Sequence, residues 1–331
     1  MMMDMPPMQF ALVNKVKMGF YAAGMRSERP ALVLCHGWPE LAYSWRHQIK
    51  ALSDAGFHVL APDQRGYGQT QGPTEVEAYD LDHLTCDLEG LLDHCGIKKA
   101  IFVGHDWGGF VVWAMAMRYP SRVAGVVGVN TPHIARPPAD PIALFKERFG
   151  SSMYIVQFQD PTDAVAQIFD SRVEQTFDFF MRKPVKYPKP SQPGVICPNH
   201  QKSNLPLAFP QYIAAYDAAK DPRAPLLSAE EKKVYVDTFK KTGFTGGINW
   251  YRNFSRNWER DAALDHTIRV PCLMVMAELD HVLPPASADG MEALIPDLEK
   301  HLIENCGHWT QHEKPEALNA VLIDWLGRRF S

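Results

Sequence analysis

Long apolar runs are missing from this 331-residue sequence. The longest, such as Phe110 to Met117, reach about eight residues, far short of the roughly 20 that a helix needs to cross a bilayer, so no membrane span is expected. Also missing is any block of Lys and Arg. The 34 basic side chains are dispersed among 38 acidic ones, for a formal net charge of −4, and without a run of cations to neutralise phosphates no nucleic-acid partner is expected. The N-terminal MMMDMPPMQF is rich in Met but has no basic stretch followed by an apolar one, and Asp4, Pro6 and Pro7 interrupt it; it is not expected to be a signal peptide. The six cysteines (Cys35, Cys86, Cys95, Cys197, Cys272, Cys306) include no CxxC pair. Neither a zinc site nor a disulfide framework is suggested, no metal or other cofactor is expected, and a reducing, cytoplasmic setting fits best. Cys35 and Cys272 lie inside apolar runs and read as small buried hydrophobes.

What the sequence does contain is the material of a globular protein. Apolar residues at 46% and charged residues at 22% exclude a disordered chain, and at roughly 150 residues per domain the length suits two domains, or one with a lid-sized insertion. Short apolar runs at Ala31 to Cys35, His58 to Ala61, Ala100 to Val103 and Val123 to Val129 each end in Gly, Pro, Asp or Asn and read as buried strands of a parallel sheet. Leu81, Leu84, Leu88, Leu91, Leu92 and Cys95 recur at helical spacing, with Gly96 placed to cap the end. The same pattern returns with strands at Pro271 to Ala277 and His301 to Glu304, then a helix face of Leu318, Val321, Leu322, Trp325 and Leu326. Between the two parts, residues rich in Phe, Tyr, Gln and Pro, with a helical patch at Thr162 to Met181, read as a mostly helical insertion. The expected division is an α/β core at 1–134 and 255–331 with a helical cap at 135–254. Five prolines (Pro184, Pro188, Pro190, Pro193, Pro198) predict an extended surface loop at 184–199, either passive or shaping access.

The chemistry is concentrated at Gly104-His105-Asp106-Trp107-Gly108-Gly109, between a strand and an apolar helix. A strand, a sharp turn with small flanking residues and a helix make a nucleophile elbow. Here the apex is Asp106, and a carboxylate attacks saturated carbon to form an alkyl ester on the enzyme. A lone match of this kind also fits a capped turn with a solvated Asp.

Seven separated motifs change that balance: HGWPE (36–40), DQRGYG (63–68), GHDWGG (104–109), YIVQFQDP (154–161), GGINWYRN (246–253), AELDHV (277–282) and NCGHW (305–309). From about residue 10 to 331 the chain resembles the epoxide hydrolases of the α/β-hydrolase superfamily. The resemblance implies an α/β-hydrolase fold, a mostly parallel sheet flanked by helices with an inserted, mainly helical cap. Chain order agrees, since the nucleophile Asp106 is followed by Asp280 and then His308, each after a strand. His308 is the expected general base and Asp280 its orienting acid; Glu278, two residues away, competes for that second role. His105 is expected to brace the elbow. The resemblance assigns the oxyanion hole to the backbones of Trp38 and Trp107, and Tyr154 and Tyr251 in the cap as proton donors to the opening ring, which phenols with a pKa near 10 can be at neutral pH.

Lesser candidates are Asp63 and Arg65, expected to tie the sheet end to a loop, and Glu40, which either helps place water or forms a salt bridge with Arg46. Phe158, Phe179, Phe180, Phe209 and Phe244 imply an apolar cavity, though core packing accounts for aromatics equally well. The implied reaction is epoxide to vicinal diol, with a small apolar epoxide and water as partners and a homodimer left open. A haloalkane dehalogenase shares fold and nucleophile but usually carries Asn in place of Trp38, and a halide needs no phenol to leave. A non-catalytic ligand receptor of this fold would have no need of all five catalytic side chains.

Overall fold

Successive strand residues face opposite sides of a sheet, so a strand that is apolar throughout must be covered on both faces. The computed structural model, which describes residues 5–185 and 207–331, meets that demand with eight strands in one sheet. They are β1 (Met8–Val13), β2 (Val16–Ala23), β3 (Ala31–Cys35), β4 (Val59–Pro62), β5 (Ala100–His105), β6 (Val123–Val129), β7 (Cys272–Ala277) and β8 (Leu298–Ile303), in the order β1-β2-β4-β3-β5-β6-β7-β8. The β1–β2 and β2–β4 pairs are antiparallel and all others parallel. Val33, Cys35, Phe102, Val126 and Met274 pack on one face with the helices Leu81–His94 and Trp107–Arg118. Their neighbours Leu32, Leu34, Ile101, Val103, Val127 and Val275 pack on the other with Arg46–Asp54 and Pro315–Arg329.

The apolar-run pattern thus locates six of the strands, with β8 beginning at Leu298, earlier than expected, because its outer residues are partly exposed at the sheet edge. It misses β1 and β2, whose exposed positions break up any continuous run. These two form a hairpin closed by Asn14 and Lys15, both at positive φ (43° and 66°), the conformation that matches the twist of paired strands. The helix at Leu81–His94 is as expected: the Asp80 side chain accepts from the His83 N–H at 3.0 Å, and Gly96 takes a φ of 61°.

Between β6 and β7 the described chain is helical, from Pro141–Phe149 to Phe254–Arg260. The expected patch at Thr162 to Met181 is two helices, Ala164–Asp170 and Val173–Phe180. The insertion is bonded to the sheet-bearing part at several points. Asn257 accepts from the Leu81 N–H (2.9 Å), the Trp250 indole donates to the Arg65 carbonyl (3.1 Å), and Arg46 pairs with Glu231 (2.7 Å). Most of the proline-rich stretch, from 186 onward, lies outside the described residues.

Asp63 and Arg65 do brace the loop after β4. Asp63 accepts from the Ala42 and Gln69 N–H groups, both at 2.9 Å, and Arg65 makes a two-pronged contact with Asp87 at 2.6 and 2.8 Å, both side chains almost fully buried. Removing one partner strands a buried charge, so Asp87→Ala should cost about 3–5 kcal/mol, read as a lower midpoint in urea unfolding; an unchanged midpoint would show the pair to be dispensable.

Candidate active site

β5 ends at His105 and the next helix begins at Trp107, which leaves Asp106 alone to turn the chain. Its φ of 51° and ψ of −121° fall outside the regions that side-chain-bearing residues favour, a strain on the order of 1–3 kcal/mol. The turn is too tight for side chains beside it: a Cβ on Gly104 would stand 2.1 Å from the Gly108 carbonyl oxygen, and one on Gly108 2.0 Å from that of Cys35. The bend is pinned by two donors to the Asp106 carbonyl, the Gly109 N–H (2.9 Å) and the Thr131 hydroxyl (2.7 Å).

Asp106 is buried, at 7% exposure, and its Oδ1 accepts the backbone N–H of Trp38 at 2.8 Å, while the neighbouring Trp107 N–H also favours the charged carboxylate. The loop carrying Trp38 is held by Gln64, whose N–H donates to His36 Nε2 (3.0 Å) and whose side-chain amide donates to the His36 carbonyl (2.6 Å). Burial pushes the Asp106 pKa up from its ordinary value; His308, His105 and the two backbone donors oppose this.

Asp280 follows β7 and His308 follows β8, and the parallel sheet brings both to the elbow. His308 Nδ1 donates to Asp280 Oδ2 at 2.8 Å, while Asp280 Oδ1 accepts the N–H groups of Val282 (2.8 Å) and Leu283 (2.9 Å). Nε2 of His308 faces Asp106 Oδ2 at 3.7 Å, longer than a hydrogen bond. Burial alone would lower the His308 pKa; the Asp280 carboxylate, then Asp106 and Glu40, outweigh it and push the imidazole up to about 9. Glu278 does not reach the histidine: its side chain is exposed and accepts the Asn305 N–H at 2.7 Å.

Tyr154 opens the helix Tyr154–Gln157 and Tyr251 lies in Thr245–Arg252. The two segments are clipped together by Arg252 donating to the Phe158 carbonyl (3.0 Å) and Gln159 to that of Tyr251 (3.0 Å). The phenol rings stand 5.6 Å apart, edge to face. Both are raised above the ordinary phenol range, chiefly by burial, with the Asp106 charge adding to it, so both are held as neutral donors. Trp38 is ringed by Phe158, Phe169, Phe180, Phe244 and Tyr251 at 5.3 to 6.5 Å. Phe158 and Phe244 are fully buried there as packing, whereas half-buried Phe209 lies 4.5 Å from Tyr154 and 5.1 Å from Phe180. Phe179 meets Phe180 and Tyr216 edge to face.

Glu40 is fully buried, and its pairing differs from the salt bridge weighed for it. It accepts from the Gly37 N–H (2.9 Å) and Gln311 (2.6 Å) and meets His105 Nδ1 (2.8 Å). Arg46 is kept from it by His312, whose Nδ1 accepts from Arg46 (2.9 Å) and whose Nε2 lies 3.4 Å from Glu40. His105 braces the elbow as expected, with its Nε2 donating to the His308 carbonyl (2.7 Å). Sequence reasoning misses Asn130, Thr131, Gln311 and His312; for the first two the one signal is an Asn closing an apolar strand at the carboxyl edge of the sheet.

The chain matches the family model described as alpha/beta hydrolase fold over residues 30–315. It is 40% identical to epoxide hydrolase A of Mycobacterium tuberculosis over 329 residues, 98% of either chain. It is 41% identical to bifunctional epoxide hydrolase 2 of Mus musculus over 300 residues, 90% of this chain and about half (51%) of that one. The crystal structure of epoxide hydrolase A from Mycobacterium thermoresistibile superposes with a TM-score of 0.84 at 39% identity, covering 97% of this chain and 98% of that one.

Because the Asp106 charge helps to hold the His308 proton, Asp106→Asn should move the His308 titration down from about 9, as followed by NMR of the ring; an unmoved pKa would leave Asp280 as the sole cause.

Proposed function

Because the chain belongs to the epoxide hydrolases of the α/β-hydrolase fold, we propose that it converts apolar epoxides to vicinal diols through an ester on Asp106. The observation that carries the mechanism is the unequal state of the two Asp106 oxygens. Oδ1 is held by the Trp38 N–H at 2.8 Å, while Oδ2 faces His308 Nε2, 3.7 Å away. Oδ2 attacks a ring carbon, the C–O bond breaks, and its electron pair passes to the ring oxygen, which takes a proton from Tyr154 or Tyr251. The phenol is then restored from solvent.

In the second half, His308 takes a proton from water and the resulting hydroxide adds to the Asp106 carboxyl carbon. The negative charge that forms on oxygen is met by the Trp38 and Trp107 N–H groups, each donor worth roughly 2.7–4 kcal/mol in comparable sites. Collapse expels the diol oxygen, which receives the proton from His308. Asp106 releases the hydroxide's remaining proton to solvent and regains a carboxylate with one oxygen drawn from water. Asp280 holds the imidazole in the tautomer whose Nε2 can accept.

The helices between β6 and β7 act as the cap, with 135–254 as its extent and 1–134 and 255–331 as the core. Among the described residues Cys35, Cys86, Cys95, Cys272 and Cys306 are unpaired, which supports a reducing compartment such as the cytoplasm.

Rapid quenching of His308→Gln mixed with an aryl epoxide should yield protein heavier by one substrate mass, with the label on Asp106. Unmodified protein despite measurable binding would favour a receptor, and halide release from a chloroalkane without diol formation a dehalogenase. Tyr154→Phe should slow alkylation without abolishing it, since Tyr251 still donates; total loss from that single change would overturn the paired-donor mechanism.

A further inference from the structure

β6 ends at Val129, and the next two residues reach all three members of the triad. Asn130 adopts a φ of 67°, a left-handed conformation that Asn tolerates better than most residues. It is 2% exposed, and its N–H donates to the Val275 carbonyl on β7 at 2.8 Å. Its side-chain amide donates to Asp280 Oδ2 at 2.7 Å, the same oxygen that receives His308 Nδ1–H, and lies 3.3 Å from the His308 carbonyl. Its Oδ1 accepts from the Thr310 hydroxyl at 2.7 Å, which fixes the orientation of the amide. Its neighbour Thr131 donates to the Asp106 carbonyl at 2.7 Å.

A buried residue whose side chain served only to suit the backbone would not need three polar partners on the loops of the acid and the base. We propose that Asn130 is a positioning residue for the ester-hydrolysis half of the reaction: it fixes Asp280 and the His308 loop relative to each other, while Thr131 fixes the nucleophile from the same strand end. The inference rests on the ester mechanism above, in which His308 takes and gives a proton only in the second half.

Asn130→Gly separates the two roles, because glycine keeps the left-handed backbone and deletes the amide. Loss of a hydrogen bond to a charged group should slow ester hydrolysis by about 10- to 100-fold and leave alkylation unchanged. In steady state kcat and KM then fall together and kcat/KM holds, because kcat/KM reports the alkylation step. Rapid-quench mass spectrometry with an aryl epoxide should show a correspondingly longer-lived adduct on Asp106. Thr310→Val, which frees the amide to turn, should act in the same direction and supplies the test if the glycine variant does not fold. A parent-like adduct lifetime, or a fall in kcat/KM equal to that in kcat, overturns the proposal. Absence of an adduct even in the parent enzyme and His308→Gln would instead overturn the ester mechanism, a separate failure that removes the proposal's premise.

Discussion

A carboxylate removed from bulk water and held at the point of a strained turn is the constraint on which the rest of the site depends. Desolvation makes Asp106 a poor anion, yet the chemistry requires it as an anion, and the surroundings supply the difference with fixed dipoles and two histidines, His308 and His105. The Trp38 and Trp107 N–H groups do this without adding a permanent positive charge that would blunt the nucleophile. The same arrangement explains why the elbow glycines are unavoidable. The helix that follows the nucleophile starts where the Gly108 backbone lies against that of Cys35, with no room for a Cβ.

The cap closes this arrangement from above with aromatic surface and two phenols. Trp38 contributes its backbone N–H to Asp106 Oδ1 and its indole to the ring cluster with Phe158, Phe169, Phe180, Phe244 and Tyr251. One residue therefore couples the position of the inserted helices to that of the Asp106 carboxylate. A second tie runs through Trp309, beside the base, whose indole donates to the Phe180 carbonyl at 2.7 Å. A third is the Arg46–Glu231 pair, extended through His312 toward Glu40. The two halves of the active site are thus fastened by bonds that also shape it.

How much of this can be read in the sequence depends on whether the signal is local. The elbow is legible because its sterics act over six contiguous residues, 104–109, and Asp280 and His308 because strand-end placement in a parallel sheet is enough to bring distant residues together. The tyrosines are legible only through resemblance, since nothing local marks a phenol in a helical insertion as facing a carboxylate. His312 is not legible, and Asn130 only as an Asn closing an apolar strand, because what they do depends on partners 266 and 150 residues away, Arg46 and Asp280. Arg46 illustrates the error that follows. Its proximity to Glu40 in sequence suggests a pair, but the helix turns Arg46 toward the cap, where Glu231 takes it. The β1–β2 hairpin escapes for a related reason, because an edge hairpin with exposed positions lacks the apolar continuity of a buried strand.

The charges of the site alternate over a reaction cycle in a way that suits its two halves. In the resting enzyme Asp106 is an anion and helps to keep His308 protonated at about 9, so at neutral pH the imidazole is an acid and cannot deprotonate water prematurely. Esterification cancels the Asp106 charge. Of the forces on His308, burial, which lowers its pKa, persists, while one of the carboxylates that raised it is lost. The histidine is therefore driven toward its neutral, basic form by the step that creates a need for a base. Asp280 remains, held by the Val282 and Leu283 N–H groups and by Asn130, and stabilises the imidazolium when it re-forms. Nucleophile and base need no external signal to act in turn, because each one's charge sets the protonation of the other across 3.7 Å.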